Sequence, residues 1–250
     1  MYRLALLIAA CLFSTVAAAA DVQVAVAANF AGPLQRIAEA FGAATGHRLV
    51  VSSGATGKFY TQIVSGAPFE VLLAADDETP ARLVAEGHAV AGTAFTYAIG
   101  RLVLWSAQPG LVDAQGAVLA SDAIRHIAIA NPKVAPYGAA AMQVLRSRGL
   151  AQALAPRLVT AESIAQAFQF VATGNAEIGF VALSQAAAPG KPAAGSWWLV
   201  PQNLHDELEQ GAVLLRAGAG NPAARSLLAF LKSDAALQLI REHGYGVPAP

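Results

Sequence analysis

Cysteine is almost absent from this chain: Cys11 is the only one, so no intramolecular disulfide can form and stability must come from packing. Charge is scarce as well. Asp, Glu, Lys and Arg make up 13% of the 250 residues, with 16 acidic against 16 basic side chains, a balance that points to neither nucleic acid nor an acidic membrane surface. Any negative ligand has to be held by local donors. Enzyme signatures are missing too. Gly54-Ala55-Thr56-Gly57-Lys58 looks like a phosphate loop, but that motif needs Gly where Ser52 stands and Ser or Thr where Phe59 stands. His47, His88, His126, His205 and His243 lack the close pairing typical of zinc sites, and no Gly-x-Ser-x-Gly elbow occurs.

What is present begins with a leader. Arg3 precedes an apolar run over residues 4–13, and Ala18-Ala19-Ala20 offers a small-residue cleavage site before Asp21, the pattern of a signal peptide over residues 1–20. The run is too short to span a bilayer, and no later segment sustains the roughly 20 apolar residues that spanning needs. The mature chain is therefore expected to be exported, periplasmic and without a membrane anchor, and losing Arg3 leaves it 15 basic against 16 acidic side chains. An alternative is a lipoprotein box, Ile8-Ala9-Ala10-Cys11. It fits less well, because residues 12–20 stay apolar where a polar tether would follow.

The full 250-residue sequence is 56% hydrophobic, ample for one large domain or two lobes. Strand patterns over 22–26, 48–52 and 70–74 alternate with helical patterns over 30–44, 58–64 and 79–86. A second block reads as strands over 101–105, 126–130 and 178–182 with helices over 138–148 and 163–172. Residues 190–195, with Pro192, interrupt the pattern before Trp197, and helices are expected over 223–231 and 235–243. Alternation of this kind implies an α/β fold with mainly parallel sheets. We expect two lobes packed face to face, one of residues 21–100 plus 217–250 and one of residues 101–216, with the ligand cleft at the C-terminal ends of the strands.

Four strand-to-helix junctions stand out: Ala28-Asn29, Ala55-Thr56-Gly57, Pro136-Tyr137-Gly138 and Glu162-Ser163-Ile164. The first N–H groups of a helix have no internal acceptor and lie at the positive end of its dipole, so such junctions suit an anion. Asn, Thr and Ser are also ordinary caps, and singly each junction reads better that way; two junctions from each block brought together at one cleft favour the anion reading. Tyr137 reads as either a donor to the ligand or a packing residue. Lys58 reads as a solvated residue of a first helical turn or a distant electrostatic helper. Asp76-Asp77-Glu78 suits a helix start better than a hard cation. Phosphate usually carries a proton and benefits from an acceptor, whereas a fully deprotonated dianion needs donors only. With Glu162 expected to point away, the donor set favours a sulfate-like or molybdate-like ion.

The ordered set Val26-Ala27-Ala28-Asn29-Phe30, Ser52-Ser53-Gly54-Ala55-Thr56-Gly57, Gly66-Ala67-Pro68-Phe69-Glu70-Val71, Ala74-Ala75-Asp76, Ile129-Ala130-Asn131-Pro132, Ala135-Pro136-Tyr137-Gly138 and Gly179-Phe180-Val181-Ala182-Leu183 resembles the molybdate-binding periplasmic components of ABC transporters, the ModA family, over essentially the whole mature length. The resemblance implies a two-lobed type II periplasmic binding protein fold, no catalysis and no cofactor. It implies capture of molybdate or tungstate in the interlobe cleft, and delivery by a monomer to a membrane permease and its ATPase. It implies oxyanion contacts from the Ala28 N–H, the Asn29 side chain and N–H, the Thr56 hydroxyl and N–H, the Tyr137 N–H and the Ile164 N–H. Any contact to the metal runs through the oxygens that Asn29, Thr56, Tyr137 and Ile164 hold, with Ser53, Gly57, Lys58 and Ser163 as supporting neighbours. Some relatives have a hydroxyl residue at the Ala28 or Asn29 position and a tyrosine donor where this chain has Ala182. A receptor for sulfate or another small tetrahedral oxyanion is the alternative within the binding class, and an exported α/β hydrolase the alternative outside it.

Overall fold

The computed structural model describes residues 19–187 and 195–248. The leader, with Cys11 and most of the 1–20 segment, and the break expected over 190–195, except Gly195, lie outside the described residues. The first block runs β1 (Asp21–Ala27), α1 (Ala31–Thr45), β2 (Arg48–Gly54), α2 (Thr56–Val64), β3 (Val71–Leu73), α3 (Glu78–Ala85) and β4 (Phe95–Gly100). The second runs β5 (Leu102–Ser106), β6 (Ile127–Ala130), α4 (Pro136–Ser147), α5 (Ala151–Leu154), β7 (Leu158–Ala161), α6 (Ile164–Ala172), β8 (Ile178–Ala182), α7 (Leu183–Ala186) and β9 (Ser196–Leu199). The chain then closes with β10 (Leu208–Leu214), α8 (Pro222–Phe230) and α9 (Asp234–Glu242).

These elements build two five-stranded sheets of matching plan, β2-β1-β3-β10-β4 and β7-β6-β8-β5-β9. In each, three strands run parallel and the fourth position holds an antiparallel strand, β10 or β5. The chain passes from one sheet to the other twice, at Arg101 and between Leu199 and Leu208. The return therefore comes earlier than the expected boundary at 216/217. β10 belongs to the first lobe, because Ala212–Leu214 pair with β3 and residues 208–212 pair with β4.

Helical periodicity explains the packing. In α1, Leu34, Ile37 and Phe41 fall on one face and are fully buried against Val22, Val24 and Val26 of β1 together with residues of α8 and α9. Burying each such side chain stabilises the fold by about 1.5–3 kcal/mol. The other face of the first sheet is covered by Phe59 and Ile63 of α2 and Leu83 of α3. The second lobe has its own core around Leu102, Leu104, Ile127, Ile129 and Phe180, and that core extends into Ala27, Ala28, Ala55 and Ala75 of the first lobe. The lobes thus meet through alanines, whose small size lets two sets of helix starts approach each other. Among the described residues no helix is long and apolar enough to cross a membrane.

Candidate functional site

Parallel pairing places the four junctions. β1 and β2 are neighbours with Ala27 opposite Gly54, so the turns that follow them emerge side by side. β6 and β7 do the same in the second lobe, with Ala130 opposite Ala161. The two pairs face each other across the cleft and enclose a small pocket of about 10 Å³, lined by Ala27, Ala28, Asn29, Gly54, Ala55, Thr56, Ala75, Ala135, Pro136, Tyr137 and Ile164. All five expected ligand residues are in that lining, and no charged side chain is.

The local geometry separates these junctions from ordinary caps. Thr56 is the first residue of α2, not its cap. The cap positions of α2 and α4 are Ala55 and Ala135, which have no side-chain acceptor. The Lys58 and Gly138 amides turn back to the Ala55 and Ala135 carbonyls, which leaves the Thr56 and Tyr137 amides at the two helix starts for an outside acceptor. Pro136 fills the first position of α4, where a missing N–H costs nothing. Asn29 lies within a 3₁₀ turn, Ala28–Phe30, and caps nothing. Only Ser163 is a conventional cap, its Oγ accepting the Gln166 N–H at 3.3 Å.

Thr56 is 1% exposed, and its Oγ1 accepts the Ala75 N–H at 3.0 Å. With that lone pair used, the hydroxyl proton is free to be donated elsewhere. The Asn29 side chain departs from expectation. Nδ2 donates to Gln210 Oε1 at 2.7 Å and to the Tyr245 hydroxyl at 3.0 Å, so both amide hydrogens are spent in the interior and only the backbone N–H is left for the pocket. Tyr137 is settled on the packing side. Its hydroxyl is packed against Gly100 and has no hydrogen-bond partner among the described residues, and burial pushes its pKa well up. Its backbone at the start of α4 is the part that can serve an anion.

The neighbouring residues divide. Ser53 is exposed on β2, opposite Val26, and does not line the pocket. Gly57 crosses the cleft, its N–H donating to Val134 O of the second lobe at 2.9 Å. A Cβ on Gly57 would press on the Val134 backbone, so glycine permits this approach. Lys58 is not simply solvated: Nζ pairs with Glu162 Oε2 at 2.7 Å, again across the cleft. That hydrogen bond holds the Glu162 carboxyl below the usual carboxylate range. Glu162 itself stays out of the pocket, its side chain 75% exposed. Asp76 Oδ1 accepts the Thr79 N–H at 2.8 Å at the start of α3, which is the helix-start role, and no group of three metal-ligating side chains occurs among the described residues. Asp76, Asp77, Glu78, Lys133, Asp206 and Glu207 border a wider groove of about 690 Å³ that shares Ala75, Ala135 and Pro136 with the pocket.

Sequence reasoning missed Ser184, Gln210 and Tyr245, which hold Asn29 from behind. One signal was available: Gln210 follows Glu209 as a second polar residue leading into the apolar end of β10, and precedes Gly211, where the β10–β4 register shifts.

Two α/β lobes closed over a small, uncharged, amide-lined pocket define a solute-binding protein. The chain belongs to the bacterial extracellular solute-binding protein family, whose model matches residues 22–246, and within it to the ModA proteins. It is similar to the molybdate-binding protein ModA of Azotobacter vinelandii, 56% identical over 245 residues, which are 98% of this chain and 97% of that one. The molybdate-binding protein ModA of Rhodobacter capsulatus is 53% identical over 229 residues, 92% of this chain and 89% of its own. Among solved structures, an Azotobacter vinelandii periplasmic molybdate-binding protein superposes with a TM-score of 0.89 at 44% identity, covering 91% of this chain and all of that one.

Proposed function

We propose that this protein captures molybdate or tungstate between its lobes and delivers it to a membrane permease and its ATPase. The observation that carries this reading is the pocket lining: open helix-start amides at Ala28, Asn29, Thr56, Tyr137 and Ile164, the Thr56 hydroxyl, and no carboxylate. Such a set satisfies a fully deprotonated tetrahedral dianion and gives a protonated phosphate no acceptor. The names of the similar ModA proteins favour molybdate within that class.

The oxyanion is cargo. In this reading the protein is a receptor and not a catalyst, its pocket donors serving capture of the ion. Ligand bridging of both lobes favours the closed form by differential affinity. A periplasmic monomer released from a leader over residues 1–20 is consistent with the apolar run over 4–13 and with the solved periplasmic relative. Isothermal titration with molybdate, tungstate, sulfate and phosphate tests the reading. Tight, turnover-free binding of molybdate and tungstate is expected, and a preference for sulfate would overturn the ligand assignment while leaving the receptor class intact.

A further inference from the structure

Behind the pocket lies a buried polar chain in which Ser184, Gln210 and Tyr245, none of them in the pocket lining, hold Asn29, which is part of that lining. Asn29 O accepts from Ser184 Oγ at 2.9 Å and from the Tyr245 hydroxyl at 2.8 Å, while Asn29 Nδ2 donates to Tyr245 and to Gln210. Ser184 Oγ and the Tyr245 hydroxyl lie 3.1 Å apart. Gln210 Nε2 continues the chain to Ala75 O at 3.2 Å, and the Ala75 N–H reaches Thr56 Oγ1. The two pocket junctions of the first lobe are therefore connected through Gln210 and Ala75. Ser184 comes from the second lobe, so its bond to Asn29 runs between the lobes.

Each link has a physical reason to matter. Asn29 is 2% exposed and Gln210 fully buried, where a donor or acceptor left without its partner carries the full desolvation penalty. With the Asn29 carbonyl and side-chain amide both held, its Cα and amide nitrogen are held in place as well, and binding geometry held from behind is what tight recognition requires. Burial pushes the Tyr245 hydroxyl pKa up to about 12, so it remains a donor through the neutral range.

We infer that Ser184, Tyr245 and Gln210 are positioning residues for oxyanion binding, aiming the Asn29 N–H, tying it to Thr56 and coupling both to lobe closure. The inference rests on the proposed receptor function. The test is titration of the purified chain and of Ser184→Ala, Tyr245→Phe and Ser184→Thr with molybdate, tungstate, sulfate and phosphate, alongside stopped-flow dissociation and the ligand-free Tm. Thr93→Val is the control: Thr93 Oγ1 accepts the Leu214 N–H on β10 but lies away from the pocket.

Ser184→Ala and Tyr245→Phe should each weaken binding about three- to tenfold, the loss of one net hydrogen bond, through faster dissociation. Ser184→Thr should retain affinity. Thr93→Val should lower Tm and leave affinity unchanged. Wild-type affinity in both Ser184→Ala and Tyr245→Phe would overturn the inference, as would an equal loss in Thr93→Val. If the wild type binds sulfate instead of molybdate, the ligand reading fails, and the same variants measured with sulfate still decide the positioning role. A wild type that binds none of the four anions overturns both.

Discussion

Thr56 Oγ1 accepts the Ala75 N–H at 3.0 Å, and this one bond sets the polarity of the hydroxyl at the pocket: an acceptor already engaged is left as a donor. The consequence is measurable. Thr56→Ala removes that donor and leaves the Ala75 amide buried without its partner. Molybdate affinity should fall by about 1–3 kcal/mol, or about 5- to 150-fold. Thr56→Ser should retain most of it, which isothermal titration will report.

Lys58 and Glu162 form the outer latch. Because both are solvent-exposed, the pair acts more on how long the lobes stay closed than on global stability. Glu162→Gln should speed oxyanion release at low ionic strength, and the difference from wild type should shrink as salt rises. The Glu162 carboxyl is depressed by Lys58, so the pair's contribution is present above the ordinary glutamate range and lost as pH falls through the lower folded value. Stopped-flow release measured across salt and pH checks both trends.

Gly138 sits where α4 is pressed onto the end of β6, and a Cβ there would run into the Ala130 carbonyl. Gly138→Ala must push the helix start away, carrying the Tyr137 amide with it. A destabilisation of about 1–3 kcal/mol is expected, together with weaker anion binding. Denaturant unfolding and titration on the same sample separate the two losses.

Asp76 carries an opposite sign. Burial raises its pKa above the ordinary 3.8, so the native state holds this proton more firmly than the unfolded chain does. Stability from the protonated form is present below the unfolded value and lost as pH rises through the raised folded one. Asp76→Asn keeps an acceptor for the Thr79 N–H and removes the buried charge. Its Tm at pH 7 should exceed the wild type, and the two should converge in acid. Calorimetry at several pH values tests this.

Much of this was legible in the chain itself. The strand over 178–182 and the helices that begin each lobe follow from periodicity, and small residues at strand ends marked all four junctions. β4 and β7 were not read as strands, because Phe95–Gly100 and Leu158–Ala161 are only partly buried and lack the continuous apolar run of a central strand. The position of β10 in the first sheet was equally hidden, since it depends on pairing with β3 and β4, far away in sequence. The same distance hid the partners of Asn29. Its side chain read as a ligand donor because Gln210, 181 residues away, and Tyr245, 216 residues away, cannot be placed beside it from spacing alone.

The pocket is built mainly from peptide groups, and that dictates which experiments can see it. Replacing the side chain of Ile164 leaves the amide in place, and Ala28 has no side chain for an alanine scan to remove, so systematic alanine substitution would score most of the binding surface as silent. Exchange of a single amide for an ester at position 137 or 164 would remove the donor itself. A mutational survey would instead flag Thr56, Gly138 and the residues behind Asn29, outlining the pocket by its supports.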